Sequence, residues 1–251
     1  MLKNTFCHIQ RIGLATENKL WSAGIHDWEI FNQSAGIPLS NKKVASIIPV
    51  LEESTRHLAT GNPHYFIQYL PVNQYWRLFP HFRNTIAYVD IETTGLENWC
   101  NEITTIALYD GQTVRTYVNG QNLDEFVRDI EQFKIVVTYN GRCFDVPFIE
   151  KHFGIRMNHV HIDLRFLLKS LGFSGGLKGC ERQMGIDRGD LSDIDGYYAV
   201  ILWNEYRRTG DEKKLKMLLD YNSADARNLE SLLVKAYNMK LKNTPFYESN
   251  K

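Results

Sequence analysis

Apolar and polar positions follow two different patterns along the chain. Up to about residue 80 they read as short helices separated by turn residues such as Gly61 and Pro63. From Thr85 the run TIAYVDIE is apolar, aromatic and β-branched over the length of one strand. The change predicts a small N-terminal helical region, residues 1–80, followed by a larger domain, residues 81–245.

The N-terminal region is predicted to contain a helix from about Thr16 to Ala23, with Thr16 as its N-cap and Gly24 as its stop. A second helical turn is predicted from Asp27, and a further helix over residues 43–60. The segment RIGLATENKLWSAGIHDW also resembles a helix-hairpin-helix element, which contacts DNA backbones through amides at helix N-termini. Because the match is partial, a small structural bundle is the favoured interpretation.

The larger domain begins with three predicted strands, TIAYVDIE, EITTIALYD and GQTVRTYVN. The last two flank Asp110 and Gly111, a dipeptide that favours a tight hairpin turn, so the three are expected to pair antiparallel. Next comes LDEFVRDIEQF, a predicted helix whose apolar face contains Leu123, Phe126, Val127 and Ile130. It precedes KIVVTYN, a short apolar run suited to a strand buried on both sides, which indicates a parallel pairing.

The remainder of the chain is predicted to be mostly helical. FDVPFIEKHFG has Pro147 in its first turn and Gly154 just past its end, and HVHIDL is one more short strand. Further helices are predicted over 164–171, 176–184, 195–208 and 212–239. The order β-β-β-α-β-α-β followed by helices is typical of an α/β domain with a mixed sheet and helices on both faces.

Composition and charge narrow the function classes only slightly. The 251 residues are 43% hydrophobic and 23% charged, as in ordinary globular proteins. Lys plus Arg equals Asp plus Glu at 29 each, so a nucleic-acid surface would have to be local. The four cysteines form no CxxC pair, and no apolar stretch approaches the ~18 residues of a membrane span. A cytoplasmic protein without a membrane partner is the expectation.

Four acidic residues stand where solvated charges are unexpected. Asp90 and Glu92 lie two apart on an apolar strand and therefore point to the same face, where two carboxylates repel unless a proton or a cation intervenes. Asp145 opens a helix directly after a strand, where capping is the simplest role, and Asp225 lies on a helix, where a surface charge is the simplest role. Taken singly, each simple interpretation is adequate.

Taken together, the segments around these residues resemble the three motifs of the DEDD superfamily, the ribonuclease H-like, proofreading-type 3′–5′ exonucleases. VDIETTGL resembles the first motif, TYNGRCFDVPFI the second, and YNSADARNL, with Tyr221 and Asp225, the third. The order is that of the family over roughly residues 85–235. The chain is most similar to a bacterial ribonuclease H-like exonuclease branch in which a short N-terminal region precedes a DIETTGL strand.

The resemblance implies a ribonuclease H-like five-stranded sheet and a two-metal hydrolysis of phosphodiester bonds with Mg²⁺ or Mn²⁺, whose preferred ligands are carboxylates. It implies that Asp90 bridges both ions, that Glu92 and Asp225 serve the ion that activates water, and that Asp145 supports the other. Tyr221 would hold the attacking water, as in the tyrosine subclass, because the histidine subclass would carry its His where this chain has Asp220. No small-molecule cofactor is expected.

The expected partner is a DNA or RNA strand end. The resemblance places the backbone of Thr93, Thr94 and Gly95 beside the terminal nucleotide, and Leu96 against its base. Asn140 and Phe144 are plausible neighbours, although Leu96 and Phe144 could equally belong to the core, and Asp163 is expected to cap the helix that follows it. Basic residues that could contact phosphates are Arg142, Arg165, Lys169, Lys178, Arg182 and Arg188, although solvated faces are the default interpretation of such charges.

Two alternatives to an exonuclease remain open at this point. A structure-selective endonuclease could use the same fold, since fold alone does not determine function. A non-catalytic nucleic-acid-binding module is the second alternative, although the presence of all four acids and the tyrosine argues against it. A circular substrate separates the first alternative from an exonuclease, and binding without metal-dependent turnover would indicate the second.

Overall fold

The computed structural model describes residues 1–97, 100–187 and 196–247. Its contacts divide the chain into two compact units, one formed by Met1–Arg83 with the chain from Tyr237 onward, the other by Asn84–Ala236. The chain from Tyr237 onward groups with the N-terminal unit. The reason is aromatic packing, because the Tyr237 ring lies 5.6 Å from Trp76 and 5.8 Å from Phe79, centroid to centroid.

The N-terminal unit is helical, as predicted. Its helices are α1 (Leu14–Ser22), α2 (Trp28–Gln33), α3 (Asn41–Ala59), α4 (Pro63–Ile67) and α5 (Phe79–Phe82), with 3-10 turns at Leu2–Asn4 and Val72–Leu78. The prediction that Thr16 is an N-cap was wrong, because Gly13 occupies that position. The predicted turn at Asp27 is confirmed: its carboxylate accepts a hydrogen bond from the backbone amide of Ile30 at 2.8 Å and caps α2.

A buried ion pair ties together distant parts of this unit. Glu17 is fully buried, and its Oε1 accepts a hydrogen bond from Arg77 Nη1 at 2.8 Å. Its Oε2 accepts from the backbone amides of Phe6 at 2.6 Å and Cys7 at 3.0 Å. The Arg77 guanidinium, 3% exposed, also donates to Gln74 at 2.9 Å. Each buried charge is therefore matched by groups of the chain itself.

The second unit is built on a mixed five-stranded sheet, as predicted. Its strands are β1 (Ile86–Thr93), β2 (Ile103–Tyr109), β3 (Val114–Val118), β4 (Ile135–Thr138) and β5 (Val160–Asp163). The spatial order is β3-β2-β1-β4-β5, with β1–β2 and β2–β3 antiparallel and β1–β4 and β4–β5 parallel. Asp110 closes the hairpin by accepting backbone hydrogen bonds from Gln112 at 2.9 Å and Thr113 at 2.8 Å, while Gly111 adopts a φ of 93°.

Helices cover both faces of this sheet. They are α6 (Glu125–Ile130), α7 (Asp145–Phe153), α8 (Leu164–Lys169), α9 (Gly176–Gln183), α10 (Gly196–Thr209) and α11 (Glu212–Leu241), of which α11 continues into the N-terminal unit. Val89 and Ile91 on β1 pack in one core with Phe126 and Phe148 from α6 and α7. Side chains alternate along a strand, so Asp90 and Glu92 face the opposite side.

Local sequence signals account for the ends of α7. Pro147 lies in its first turn and Gly154 ends it in a left-handed conformation with φ 64°, as predicted. Because α7 begins at Asp145, the carboxylate of that residue is fixed at the carboxyl end of the parallel strands. None of the helices within the described ranges is long and apolar enough to cross a membrane.

Candidate metal centre

Three of the four predicted acids converge in the second unit. Asp90 and Glu92 project from β1, and Asp225 projects from α11. One carboxylate oxygen from each lies within 4.8 Å of those of the other two. Glu92 and Asp225 are 9% and 4% exposed, and Asp90 is half-buried. The period of two on the strand and the position of Asp225 on its helix therefore bring three negative groups into one small volume.

The electrostatics of this cluster are unfavourable for three ionised carboxylates. Burial is the largest cause that raises the pKa of Asp90 well above its usual range. The neighbouring charge of Asp225 adds to it, followed by those of Glu92 and Asp145. A hydrogen bond from Asn222 acts in the opposite direction. A cation placed among these groups would offset the repulsion between them.

Asn222 is a site residue that sequence reasoning missed. It is fully buried on α11, and its Nδ2 donates to Asp90 Oδ2 at 2.7 Å and to the backbone oxygen of Asp90 at 3.1 Å. Its Oδ1 accepts from Thr105 Oγ1 on β2 at 3.0 Å. Asn222 therefore fixes both the carboxylate and the backbone of Asp90. Asn222 directly follows Tyr221 in the third motif, and this position was the sequence signal that could have indicated a role in the site.

Asp145 lies beside this cluster rather than within it. It is 4% exposed and close enough for its charge to raise the pKa of Asp90. Burial raises the pKa of Asp145 itself to about 7, opposed by hydrogen bonds from its own backbone amide and that of Ile91, while the charge of Asp163 raises it further. The simple capping role is wrong for Asp145, because Phe144 occupies the N-cap position of α7 and Asp145 is the first helical residue.

Tyr221 lies one helical turn before Asp225 on α11, as the sequence indicated. It is 5% exposed and belongs to an apolar cluster with Trp203 and Leu218. The Nζ of Lys178 on α9 lies 5.4 Å from the centroid of its ring, within the range of a cation–π interaction. The ring is therefore held by apolar packing and by a nearby cation.

The turn after β1 is fixed by its own hydrogen bonds. Thr93 Oγ1 donates to the Gly95 carbonyl at 2.6 Å, and Thr94 Oγ1 accepts from the Glu102 amide at 3.0 Å. A Cβ on Gly95 would lie 2.6 Å from Asn101 Oδ1, so a larger residue here would have to displace the Asn101 side chain. Leu96 is 80% exposed, which excludes a core role and leaves its side chain accessible.

The second motif forms a cradle at the ends of β4 and β5. Asn140 adopts a left-handed backbone with φ 66°, and its amide donates to Asp163 Oδ1 at 2.8 Å. Asp163 also accepts from the amides of Arg142 at 3.1 Å and Arg165 at 3.0 Å, so its predicted role as cap of α8 is confirmed and extends to the preceding loop. Phe144 is partly buried against the core, with its ring 4.8 Å from that of Phe148.

The predicted basic residues are only partly clustered. Arg142, Arg165, Lys169 and Arg182 are exposed, and Lys178 is half-buried beside Tyr221. Arg188 lies outside the described residues. Arg165 and Lys169 occupy successive turns of α8 and border the same concave surface.

Comparison with known proteins decides the family. A model of the RNase H superfamily matches residues 87–237, more than half of the chain. The chain belongs to the RNase H superfamily. The matched region contains all four predicted acids and Tyr221, so the candidate metal centre lies within the superfamily domain. Comparison with curated proteins gives no significant match.

Solved structures that are similar to this chain include a DNA polymerase and NrnC. The family B DNA polymerase from the hyperthermophilic archaeon Pyrobaculum calidifontis is similar over 61% of this chain and 24% of its own, with 16% identity and a TM-score of 0.50. NrnC of Brucella melitensis with bound Mg²⁺ covers 65% of this chain and 89% of its own at 19% identity, with a TM-score of 0.34. The chain thus spans about a quarter of the polymerase, and the likeness concerns the fold alone.

The donor set of this RNase H superfamily domain suits a hard divalent cation. All three clustered groups are carboxylates, the ligands that Mg²⁺ and Mn²⁺ prefer. Asn222 holds Asp90 in position, as an outer residue commonly orients a metal ligand. Burial first, and then the charges of the neighbouring acids, raise the pKa of Asp90, and a bound cation would offset that added negative charge.

Proposed function

We propose that this protein is a divalent-metal-dependent nuclease of the DEDD superfamily, tyrosine subclass and bacterial ribonuclease H-like exonuclease branch, which removes nucleotides from single-stranded DNA or RNA ends in the 3′–5′ direction. The observation that carries the proposal is the convergence of Asp90, Glu92 and Asp225 within 4.8 Å. Membership of the RNase H superfamily supports it.

Asp90, Glu92 and Asp225 would hold Mg²⁺ or Mn²⁺, and Asp145, at the start of α7, would support a second ion. Bound divalent ions neutralise phosphate oxygens, activate water and stabilise the leaving oxygen in phosphodiester hydrolysis. The chain's own residues orient this machinery, since Asn222 fixes the Asp90 carboxylate at 2.7 Å. We assign to the Tyr221 hydroxyl the positioning of the attacking water, on a ring held by packing and by Lys178.

The turn after β1 would receive the strand end. Hydrogen bonds hold Thr93 and Thr94 in place, and Gly95 leaves room for close backbone contact. The exposed side chain of Leu96 would contact the terminal base, with Asn140 and Phe144 as further neighbours of the nucleotide. The four free cysteines suit a reducing compartment, and we propose a cytoplasmic location.

The test uses labelled DNA and RNA strands with a free or blocked 3′ end, a free or blocked 5′ end, or no end because the strand is circular. We expect release of mononucleotides from free 3′ ends in Mg²⁺ or Mn²⁺ and none in chelator. Asp90→Asn should lower the rate by at least about a hundredfold, since metal-based charge stabilisation contributes several kcal/mol. Asp124→Asn, an exposed acid on the same unit, is the matched control.

Three other results would contradict parts of this proposal. Cleavage of circles would replace the exonuclease with an endonuclease. Binding of strands without metal-dependent cleavage would indicate a non-catalytic module. Equal rates for Asp90→Asn and the parent protein would overturn the proposed metal centre.

A further inference from the structure

A cavity of about 610 Å³ lies at the carboxyl end of β4 and is separate from the three clustered acids. It is lined by Tyr139, Asn140, Arg165, Lys169, Phe173, Ser174, Gly175 and Gly176. Its volume is within the range of about 300–1,000 Å³ that is usual for sites of small molecules and cofactors. The lining combines basic, aromatic and backbone groups, which together suit a nucleotide.

The positive charge of this pocket comes from α8. Arg165 and Lys169 lie four residues apart, so their side chains share one face of the helix. Both are exposed, and within the described residues neither forms a salt bridge with a carboxylate. Arg165 donates one hydrogen bond, at 2.5 Å, to the neutral side-chain oxygen of Asn140. Both charges therefore remain available to a phosphate group.

The apolar part of the pocket is aromatic. Phe173 follows α8 and is half-buried, and Tyr139 follows β4. The Tyr139 hydroxyl lies 3.7 Å from Cys180 Sγ, a contact that fixes the ring against α9. Aromatic faces beside basic side chains are the usual means of binding single strands, since every base can stack on them.

The loop that forms the remaining wall is held in place. Gly175 and Gly176 have φ of 95° and 74°, a conformation that favours glycine and keeps side chains out of the cavity. The Ser174 carbonyl accepts a hydrogen bond from Gln183 Nε2 at 2.5 Å. It also packs against Gly179, where an added Cβ would lie only 2.9 Å away. The wall is thus formed before any ligand arrives.

Two connections link the pocket to the metal centre. Asn140 lies at the end of β4, the parallel neighbour of β1, which carries Asp90. Helix α9 begins in the pocket wall at Gly176, and two residues later its Lys178 contacts the ring of Tyr221. Two helical residues span about 3 Å along the axis, so the pocket lies close to α11, the helix that carries Tyr221.

We propose that this pocket binds an internal nucleotide of the strand whose end occupies the metal centre. This proposal rests on the nuclease function proposed above. Its base stacks on Phe173, and its phosphate is bound by Lys169 and Arg165. The pocket thus favours strands that continue beyond the nucleotide being removed over a single nucleotide.

The test measures binding and turnover separately. Binding of a 5′-labelled oligothymidylate series and a matching RNA series is followed by fluorescence anisotropy in chelator, where no hydrolysis occurs. Lys169→Ala is the clean charge variant, because Arg165 also holds Asn140. Its control is Lys213→Ala, an exposed lysine at the start of α11. Phe173→Leu removes the flat ring but retains apolar volume.

We expect Phe173→Leu to weaken binding of long strands about tenfold. Lys169→Ala should reduce the slope of log affinity against log salt by about 0.7, the contribution of one phosphate contact on a single strand. Neither variant should change the affinity for a single 5′-mononucleotide measured with Mg²⁺, and Lys213→Ala should bind all ligands as the parent protein does.

Normal binding and normal turnover of long strands by Lys169→Ala and Phe173→Leu would overturn the pocket and leave the nuclease intact. A parent protein without turnover, but with strand binding that these variants weaken, would overturn the nuclease and retain the pocket. An equal loss of affinity for mononucleotide and long strands would also overturn the proposal, because the effect would then lie at the metal centre.

Discussion

Glu17 in the N-terminal unit is a fully buried carboxylate and Asp90 in the second unit is a half-buried one, and their surroundings are opposite. Glu17 receives hydrogen bonds from the Arg77 guanidinium and from two backbone amides. Asp90 is surrounded by further acids, and burial together with those charges raises its pKa. The negative charge of Glu17 is neutralised by a cation of the same unit. The residues clustered with Asp90 are acids and add to its negative charge.

The difference is the one expected between a structural charge and a charge that belongs to a cation site. A buried ion pair gains its stability from partners present in the folded chain, so removing one partner is costly. Carboxylates packed together lower the stability of the folded chain but form a site that a cation can occupy. Groups with strongly shifted pKa values are common at such functional sites. Loss of one charge should therefore destabilise the protein at Glu17 and Arg77 but not at Asp90.

The largest effect is expected from Arg77→Met. It leaves the buried Glu17 carboxylate without its cation and should lower the free energy of unfolding by about 3–5 kcal/mol, measured by urea denaturation. Two cation–π contacts, to Trp21 at 5.5 Å and Trp76 at 5.4 Å, are lost as well. Glu17→Gln combined with Arg77→Met should recover part of the loss. If the single variant is as stable as the parent protein, the pair is not structural and the comparison fails.

The next effect concerns the acids and a divalent cation. Asp90→Asn should not destabilise the protein in chelator, because it removes one of three crowded charges while retaining an acceptor for Asn222. Mg²⁺ at a hundredfold excess over its dissociation constant should stabilise the parent protein by about 2.7 kcal/mol, seen as a rise in melting temperature. Asp90→Asn should lose that rise, whereas Asp124→Asn should keep it. Equal rises in all three proteins would place the cation elsewhere.

Much of the second unit could be predicted from sequence because its signals are local. Alternating and β-branched runs predicted the strands, and Pro147 and Gly154 predicted the limits of α7. The convergence of Asp90 and Glu92 followed from the strand period, since alternate side chains share a face. Adding Asp225 required the motif resemblance, because periodicity alone does not show which side of a helix meets a sheet.

What sequence reasoning missed depends on contacts between distant residues. Asn222 and Asp90 are 132 positions apart, and Glu17 and Arg77 are 60 positions apart. No local pattern relates such pairs. The incorrect N-cap at Thr16 has a different cause, because Gly13 lets the helix begin earlier and leaves Thr16 inside its first turn.

A third effect should appear in the N-terminal unit as pH falls. Burial is the largest cause that lowers the pKa of His8, to about 3; the Thr5 backbone opposes this shift, and the charge of Arg77 adds a smaller lowering, whereas an unfolded His titrates near 6.5. The unfolded chain therefore binds a proton first, and the stability present above pH 6.5 is lost as pH falls toward 3. Between pH 7 and pH 5 the loss should be about 2 kcal/mol.

His8→Gln tests this pH effect. The His8 ring lies 2.8 Å from Ser54 Oγ through Nε2 and packs 5.4 Å from Trp28, so the variant should be less stable at pH 7. Its loss of stability between pH 7 and pH 5, however, should be smaller than that of the parent protein. Parallel pH profiles for the two proteins would show that His8 does not titrate on unfolding.

The smallest effect is expected for Asn222→Ala, which tests whether the second unit positions its own metal ligands. Loss of the hydrogen bond at 2.7 Å to Asp90 should lower the rate at limiting Mg²⁺ about tenfold, as is usual for residues that orient a metal ligand. The half-saturating Mg²⁺ concentration should rise, and excess Mg²⁺ should restore part of the rate. Asn204→Ala, at an exposed position on α10, is the control. A lower rate with an unchanged Mg²⁺ dependence would mean that Asn222 supports packing rather than the cation site, because only a positioning role links this residue to metal affinity.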